Sequence, residues 1–160
     1  MKILLINKFL YPKGGDAIST IETGKLLQNK GHIVFFWGMK SPNNPPFLFD
    51  EYFVEEINYE GNLSLRIKLA SVFNLMYSLE AKHKIAQLIK IVKPDVVHLN
   101  NFAHQISPSI LDVFCKFRIP MVMTMRDYKL VCPSYSMLAD GKPCERCKNG
   151  RYYFCFLKKC

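Results

Sequence analysis

The chain has 160 residues and a formal net charge of +9, with 49% hydrophobic and 22% charged residues. This balance is typical of globular domains and excludes intrinsic disorder, which needs low hydrophobicity with high charge. No apolar run approaches the roughly 20 residues of a membrane-spanning helix, and the amino-terminal run is too short for a signal peptide. We therefore expect one cytoplasmic domain with its own core.

The first part of the chain predicts a β-α-β unit. Ile3–Phe9 has the length of a buried strand, and the loop after it carries two adjacent glycines. Asp16 is expected to cap the next helix, and Gly31 to end it. Gly24 lies on the apolar face of this helix, where it is costly unless it allows close packing on a sheet. His32–Trp37 is then the second strand.

The remaining pattern continues the alternation of strands and helices, which predicts a Rossmann-like, doubly wound parallel α/β sheet. This body covers residues 1–127, and residues 128–160 form a cysteine-rich, loop-rich extension of the same domain. The further predicted elements are a short strand near Phe53–Ile57, a helical region Leu63–Val92, a strand Asp95–Leu99, a helix opening at Ser107 and Pro108, and a strand Pro120–Met125.

Ligands of open parallel sheets bind beyond the carboxyl ends of the strands. Three polar clusters occupy such ends and are expected to converge: Gly14–Gly15, His98–Asn101 and Arg126–Asp127. The glycine pair, before a helix, would suit a phosphate. Each cluster also has a plain structural interpretation: a tight turn, a satisfied histidine beside a buried strand, and an aspartate that caps the next segment.

Five of the six cysteines lie between residues 132 and 160, and Cys144 and Cys147 form a C-x-x-C pair. Such a pair on a tight turn resembles a zinc knuckle, which Cys132 and Cys160 would complete, with Cys155 as an alternate ligand. Structural zinc, free thiols and a redox pair are the three interpretations, whereas disulfides are not expected in a cytosolic chain. The sixth cysteine, Cys115, is expected in the core of its helix.

Taken in order, several segments resemble the amino-terminal, acceptor-side lobe of glycosyltransferase family 4, which has the GT-B architecture. The cysteine-containing end resembles one branch of that family. The matching segments are Met1–Ile6, Tyr11–Gly15, Gly31–Val34, Pro94–Asn101, Ser107–Leu111 and Met123–Pro133.

The resemblance implies an enzyme that moves a sugar from a nucleotide-sugar donor to an acceptor hydroxyl. It implies retention of anomeric configuration, no catalytic metal, and a role in cell-surface polysaccharide or lipopolysaccharide synthesis. The implied acceptors are saccharides or lipid-linked acceptors at the inner membrane face. By this resemblance Gly14 and Gly15 contact donor phosphates, and the residues assigned to the sugar or acceptor side are His98, Asn100, Asn101 and, as the catalytic candidate, Asp127.

Two departures from the family pattern matter. Many relatives have His where this chain has Arg126, and a guanidinium binds phosphate but cannot act as a general base. The carboxyl-terminal GT-B lobe, with its Glu-x7-Glu motif, has no counterpart in the 160 residues. We therefore expect a fragment that cannot transfer sugar alone and that has this lobe as its partner.

The basic charge leaves a function of another class open. A zinc-stabilised basic module could bind nucleic acid or a protein partner, since aromatic residues among lysines suit single strands. The basic, aromatic tail could also lie against anionic lipid, which is compatible with a peripheral enzyme at the inner membrane face. The glycosyltransferase interpretation predicts no specific nucleic acid.

Overall fold

The computed structural model describes residues 1–56, 77–103, 106–158 and 160. They form two compact units, Met1–Thr124 and Met125–Cys160. The larger unit contains β1 (Lys2–Ile6), α1 (Gly15–Asn29), β2 (Ile33–Trp37), a 3-10 turn (Asp50–Tyr52), α2 (Leu79–Val92), β3 (Val96–Leu99), α3 (Ser109–Lys116) and β4 (Met121–Met123). The smaller unit contains β5 (Leu138–Ala139), β6 (Lys142–Pro143), a 3-10 turn (Lys148–Gly150) and α4 (Tyr153–Leu157).

The larger unit is built on a four-stranded parallel sheet in the order β2-β1-β3-β4. Ile6, the last residue of β1, pairs with Trp37 of β2 on one side and with Leu99 of β3 on the other. The three strands therefore end at the same level. Apolar runs buried on both faces are typical of parallel strands, and the predicted Rossmann-like α/β fold is confirmed.

Helices cover both faces of this sheet. Leu4 and Ile6 of β1 belong to one apolar cluster with Ile85 of α2 and Phe114 of α3. Leu5 lies between them on the opposite face, because successive strand residues alternate. That face carries α1, so the chain is wound around both sides of the sheet.

Gly24 allows α1 to approach the sheet closely, as the sequence predicts. A Cβ built on Gly24 would lie 2.2 Å from the ring of Phe36 and 3.2 Å from the Leu5 side chain. Gly31 follows the end of the helix with a φ of +82°, a conformation that glycine adopts without strain. Both predictions are confirmed.

Other local predictions are wrong. Gly14 rather than Asp16 is the N-cap of α1, and no side chain caps this helix end. Cys115 is exposed, because it follows the fully buried Phe114 and points away from the core. The first strand ends at Ile6, three residues before the predicted end.

The segment before α2 is only partly described. Near the predicted strand Phe53–Ile57 there is a 3-10 turn, and Val54 forms an isolated bridge with Met39. Of the predicted helical region Leu63–Val92, the part from Leu79 is helical, and residues 57–76 lie outside the described residues. None of the helices in the described ranges is long and apolar enough to cross a membrane.

Candidate functional site at the carboxyl edge of the sheet

Asn7 joins the loops that follow β1 and β3. Its side chain is fully buried. Its Oδ1 accepts a hydrogen bond from the Asn101 N–H at 3.0 Å, and its Nδ2 donates to the Phe9 carbonyl at 2.7 Å. The Lys8 N–H donates a hydrogen bond of 2.7 Å to the Asn101 carbonyl. The carboxyl ends of these two central strands are thereby held as one rigid edge.

The start of α1 is attached to the same edge. Asn101 Nδ2 donates to Asp16 Oδ2 at 3.0 Å, and the partners are 85 residues apart in the chain. Asn100, almost fully buried, donates its backbone N–H to the Ile6 carbonyl at 2.9 Å. Asn101 therefore acts as a link between the β3 loop and the first turn of α1, and Asn100 extends the pairing of β3 with β1.

Gly14 and Gly15 lie where this helix opens. Gly14 is extended, with a φ of −167°, which any residue adopts, so backbone conformation does not demand glycine there. A Cβ on Gly15 would meet no atom within 4 Å. A Cβ on Gly14 would lie 3.3 Å from Asp16 Oδ1, so the open space beside the first helical turn is at Gly15. The backbone N–H groups of this turn carry the positive end of the helix dipole.

Two lysines add positive charge to the glycine loop. The Lys13 ammonium lies 3.9 Å from the centre of the Phe9 ring, and the Lys8 ammonium lies 5.2 Å from it. Cation–π contacts at this distance hold ammonium groups with modest strength. Asn7, Lys8 and Lys13 are not among the site residues predicted from sequence, although polar residues directly after a buried strand are a usable signal.

His98 on β3 is engaged within the sheet. Its Nε2 lies 2.7 Å from the Thr124 hydroxyl, just after β4. This contact fixes the imidazole between adjacent strands and fits the structural interpretation of His98. Its assignment to the acceptor side stays a prediction.

Arg126 and Asp127 belong to the smaller unit. Asp127 Oδ1 accepts the Lys129 N–H at 3.0 Å, and its Oδ2 lies 3.5 Å from the Lys129 ammonium. A bond to the N–H two residues on is an Asx turn, the local role that Asp127 can have without any substrate. The expected convergence of Arg126 and Asp127 with the sheet edge stays a prediction.

The smaller unit also holds the cysteine cluster. One cavity of about 300 Å³ is lined by Cys132, Cys144, Cys147, Cys155 and Cys160. All are free thiols. Across the described ranges, no three His, Cys, Asp or Glu side chains are grouped closely enough to hold a metal ion. The sulfurs therefore line the walls of the cavity rather than meet at a point.

The thiols of this cavity differ in their surroundings. The Ser134 hydroxyl, 3.2 Å from the Cys132 sulfur, lowers the pKa of that thiol, with help from nearby backbone N–H groups. Burial raises the pKa of Cys155, and the neighbouring Cys160 raises it further. Cys132 is thus the thiol whose anionic form the surrounding donors favour most clearly.

Comparison with known proteins gives a distant relative. No family model matches the sequence. An uncharacterised 42.6 kDa protein in the cps region of Klebsiella pneumoniae is 27% identical over 154 residues. The match covers 88% of this chain and 40% of the relative, so the chain spans about two fifths of that protein's length.

Two solved structures of the C-terminal domain of a hydrogenase from Pyrococcus furiosus are similar to the chain, with TM-scores of 0.47 and 0.48. They are 16% and 17% identical and cover 77% and 78% of this chain and 90% of their own. Similarity at this level identifies no shared function.

Proposed function

We propose that the chain forms the acceptor-side part of a glycosyltransferase of polysaccharide biosynthesis, and that its sheet edge binds the phosphates of a nucleotide-sugar donor. One observation carries the proposal: Gly15 faces open space at a helix start, directly after the loop that carries Lys8 and Lys13, at the carboxyl edge of a parallel sheet. The relative from a cps region, a capsule polysaccharide gene region, supports this function.

The chemistry of the edge suits a diphosphate. Unpaired backbone N–H groups and the helix dipole attract an anion at the first turn of α1. Gly15 has no side chain to fill the space in front of them. Lys8 and Lys13 supply countercharge from the preceding loop. The Asp16 carboxylate of the first turn opposes an anion, and its hydrogen bond from Asn101 Nδ2 holds it towards the β3 loop.

The sugar and acceptor side completes the proposal. Asn100, Asn101 and His98 would face the transferred sugar or the acceptor, which we propose to be a saccharide or a lipid-linked acceptor at a membrane surface. Asp127 is the candidate catalytic carboxylate, and Arg126 would bind phosphate. In the family that the chain resembles, transfer retains the anomeric configuration without a catalytic metal, and a second lobe grips the nucleotide. The chain spans 40% of its relative, and we propose that residues beyond these 160 supply that lobe.

A pair of substitutions at Gly15 tests phosphate binding. Because a Cβ fits there without contact, both Gly15→Asp and Gly15→Ala should fold. The negative charge of an aspartate in the first turn interacts favourably with the helix dipole, so this variant keeps its helix, but the charge lies where the phosphates would bind. Binding of UDP, GDP and their sugar conjugates to the chain would be followed by NMR at millimolar concentration.

The two variants separate the effect of a negative charge at residue 15 from the effect of a larger side chain there. Gly15→Asp should weaken nucleotide binding by about tenfold or more, which corresponds to about 1.4 kcal/mol. Gly15→Ala should retain most of the affinity. Equal affinity of wild type and Gly15→Asp, or no binding of any nucleotide diphosphate by the wild type, would contradict the proposal.

A further inference from the structure

The smaller unit, Met125–Cys160, has almost no apolar core. Among its described residues, Cys132 is the one hydrophobic residue that is buried. Large apolar side chains are exposed instead: Met125, Tyr128, Leu130, Val131, Tyr135, Leu138, Tyr152, Tyr153, Phe156 and Leu157. Units shorter than about 40 residues usually need disulfides, metals or association to stay folded. Hydrophobic burial alone does not account for this compact unit.

Secondary structure does not replace the missing core. The strands β5 and β6 have two residues each, and α4 has five. The backbone also holds Tyr135 and Met137 at positive φ, a strained conformation for residues of this size. The unit needs a cross-link that the strands and the helix do not provide.

The cysteines are placed to supply that cross-link. All five thiols of the unit line one cavity. Two residues separate Cys144 from Cys147, and four separate Cys155 from Cys160. Both spacings are found in paired zinc ligands. The Cys160 N–H donates to the Cys155 carbonyl at 3.1 Å, so one turn that closes the end of α4 brings this second pair together.

The fifth thiol has other partners. The Cys132 sulfur lies 3.2 Å from the Ser134 hydroxyl and is near the backbone N–H groups of Ser134, Tyr135 and Met137. A tetrahedral ion takes four thiolates and the cavity offers five, so we place Cys132, which has this hydrogen-bonded position of its own, outside the ligand set. The same cavity is lined by Arg146 and Lys148, whose charges would offset the net negative charge of four thiolates around one divalent ion.

We propose that this cavity binds one zinc ion through the thiolates of Cys144, Cys147, Cys155 and Cys160, and that this ion holds the smaller unit together. Zinc takes four cysteine sulfurs in a closed tetrahedron with no open position. The sulfurs line the cavity walls, so zinc binding has to draw the four of them together. The four thiol protons are released to solvent as the metal binds.

The test is the zinc content of the whole chain, purified without chelator, by elemental analysis. We expect stoichiometric zinc in the wild type and in two control variants, Cys115→Ser in the larger unit and Cys132→Ser within the cavity. Cys147→Ser and Cys155→Ser should lose zinc, because their affinity for zinc should fall by more than about 100-fold. Loss of a residue that only hydrogen-bonds to a ligand costs less than this.

Two measurements on the wild type test the proposal even if the cysteine variants do not fold. Replacement of the metal by Co²⁺ should give the intense visible absorption of tetrahedral thiolate ligation. Removal of the metal by a chelator should expose residues 125–160, and not the larger unit, to limited proteolysis, because metal binding and folding are coupled.

Three results would overturn the proposal. The first is a metal-free chain whose six cysteines all react with a thiol reagent in the folded state. The second is iron with the visible spectrum of a cluster. The third is a mass that reveals disulfides within residues 132–160.

Discussion

Gly38 is the position where a single methyl group should do most damage to the candidate site. It is buried directly after β2. A Cβ there would lie 2.3 Å from the Asn7 carbonyl oxygen and 3.1 Å from the Leu10 side chain. Ordinary contacts start about 1 Å further away, and the obstacle at Asn7 is backbone, which cannot rotate aside. Gly38→Ala must therefore push the strands apart at the edge of the sheet.

The cost follows from this geometry. Overpacking costs about 1–3 kcal/mol. The shift also strains the bonds from the Met39 N–H to the Lys8 carbonyl and from the Asn7 N–H to the Trp37 carbonyl, at 3.1 and 3.2 Å. Loss of one such bond adds about 1 kcal/mol. We expect Gly38→Ala to lower the free energy of unfolding by about 2–4 kcal/mol, the sum of these two costs.

Urea unfolding followed by tryptophan fluorescence measures this effect directly. The chain has one tryptophan, Trp37, which is fully buried and adjacent to Gly38. Gly15→Ala is the matched control: its Cβ meets open space, so stability should stay level or rise by up to about 1 kcal/mol. A Gly38→Ala variant within about 1 kcal/mol of the wild type would refute the close approach of β2 to the Asn7 carbonyl.

Three further predictions use the same unfolding assay. Asn7→Ala should cost about 1–3 kcal/mol, because it leaves the part-buried Asn101 N–H and Phe9 carbonyl without their partner, and a change below that range would show that water replaces the side chain. Glu55→Gln should cost less than about 1 kcal/mol, because the pair with Lys40 is exposed. The Lys40 ammonium lowers the pKa of Glu55. The ion pair therefore stabilises the fold above the ordinary carboxyl pKa, and this stabilisation fades as the pH falls through the lowered pKa of Glu55. A stability difference between wild type and Glu55→Gln that grew in acid would contradict this pH dependence. Thr124→Val should cost about 0.5–1.5 kcal/mol through the lost contact with His98, and an unchanged imidazole environment by NMR would argue that the contact is absent.

The fold could be predicted from sequence because its signals are local. Short apolar runs separated by helical periodicity give parallel strands with crossover helices. Gly24 and Gly31 could be interpreted from position alone, one on the apolar face of a helix and the other after its end. Both roles depend on neighbours close in sequence or on the sheet that the pattern already predicts.

The site could be predicted only in part because its bonds are not local. Asn7 accepts from Asn101, 94 residues away, and Asp16 accepts from the same residue instead of capping its own helix. No spacing rule predicts such partners. The cysteine cluster could be predicted in part. The C-x-x-C pair is visible in the sequence, but the cavity lined by all five thiols depends on loops that have no periodic pattern.

The central claim is that the start of α1 receives nucleotide-sugar phosphates, and backbone amide NMR of the isotope-labelled chain tests it most directly. Titration with a nucleotide sugar should move the amide signals of Gly14, Gly15 and Asp16, together with the side-chain amide of Asn101. At the same ligand concentration these shifts should be much smaller in Gly15→Asp. The account would be contradicted if these signals stayed still while the ligand bound elsewhere, or if Gly15→Asp showed the same shifts as the wild type.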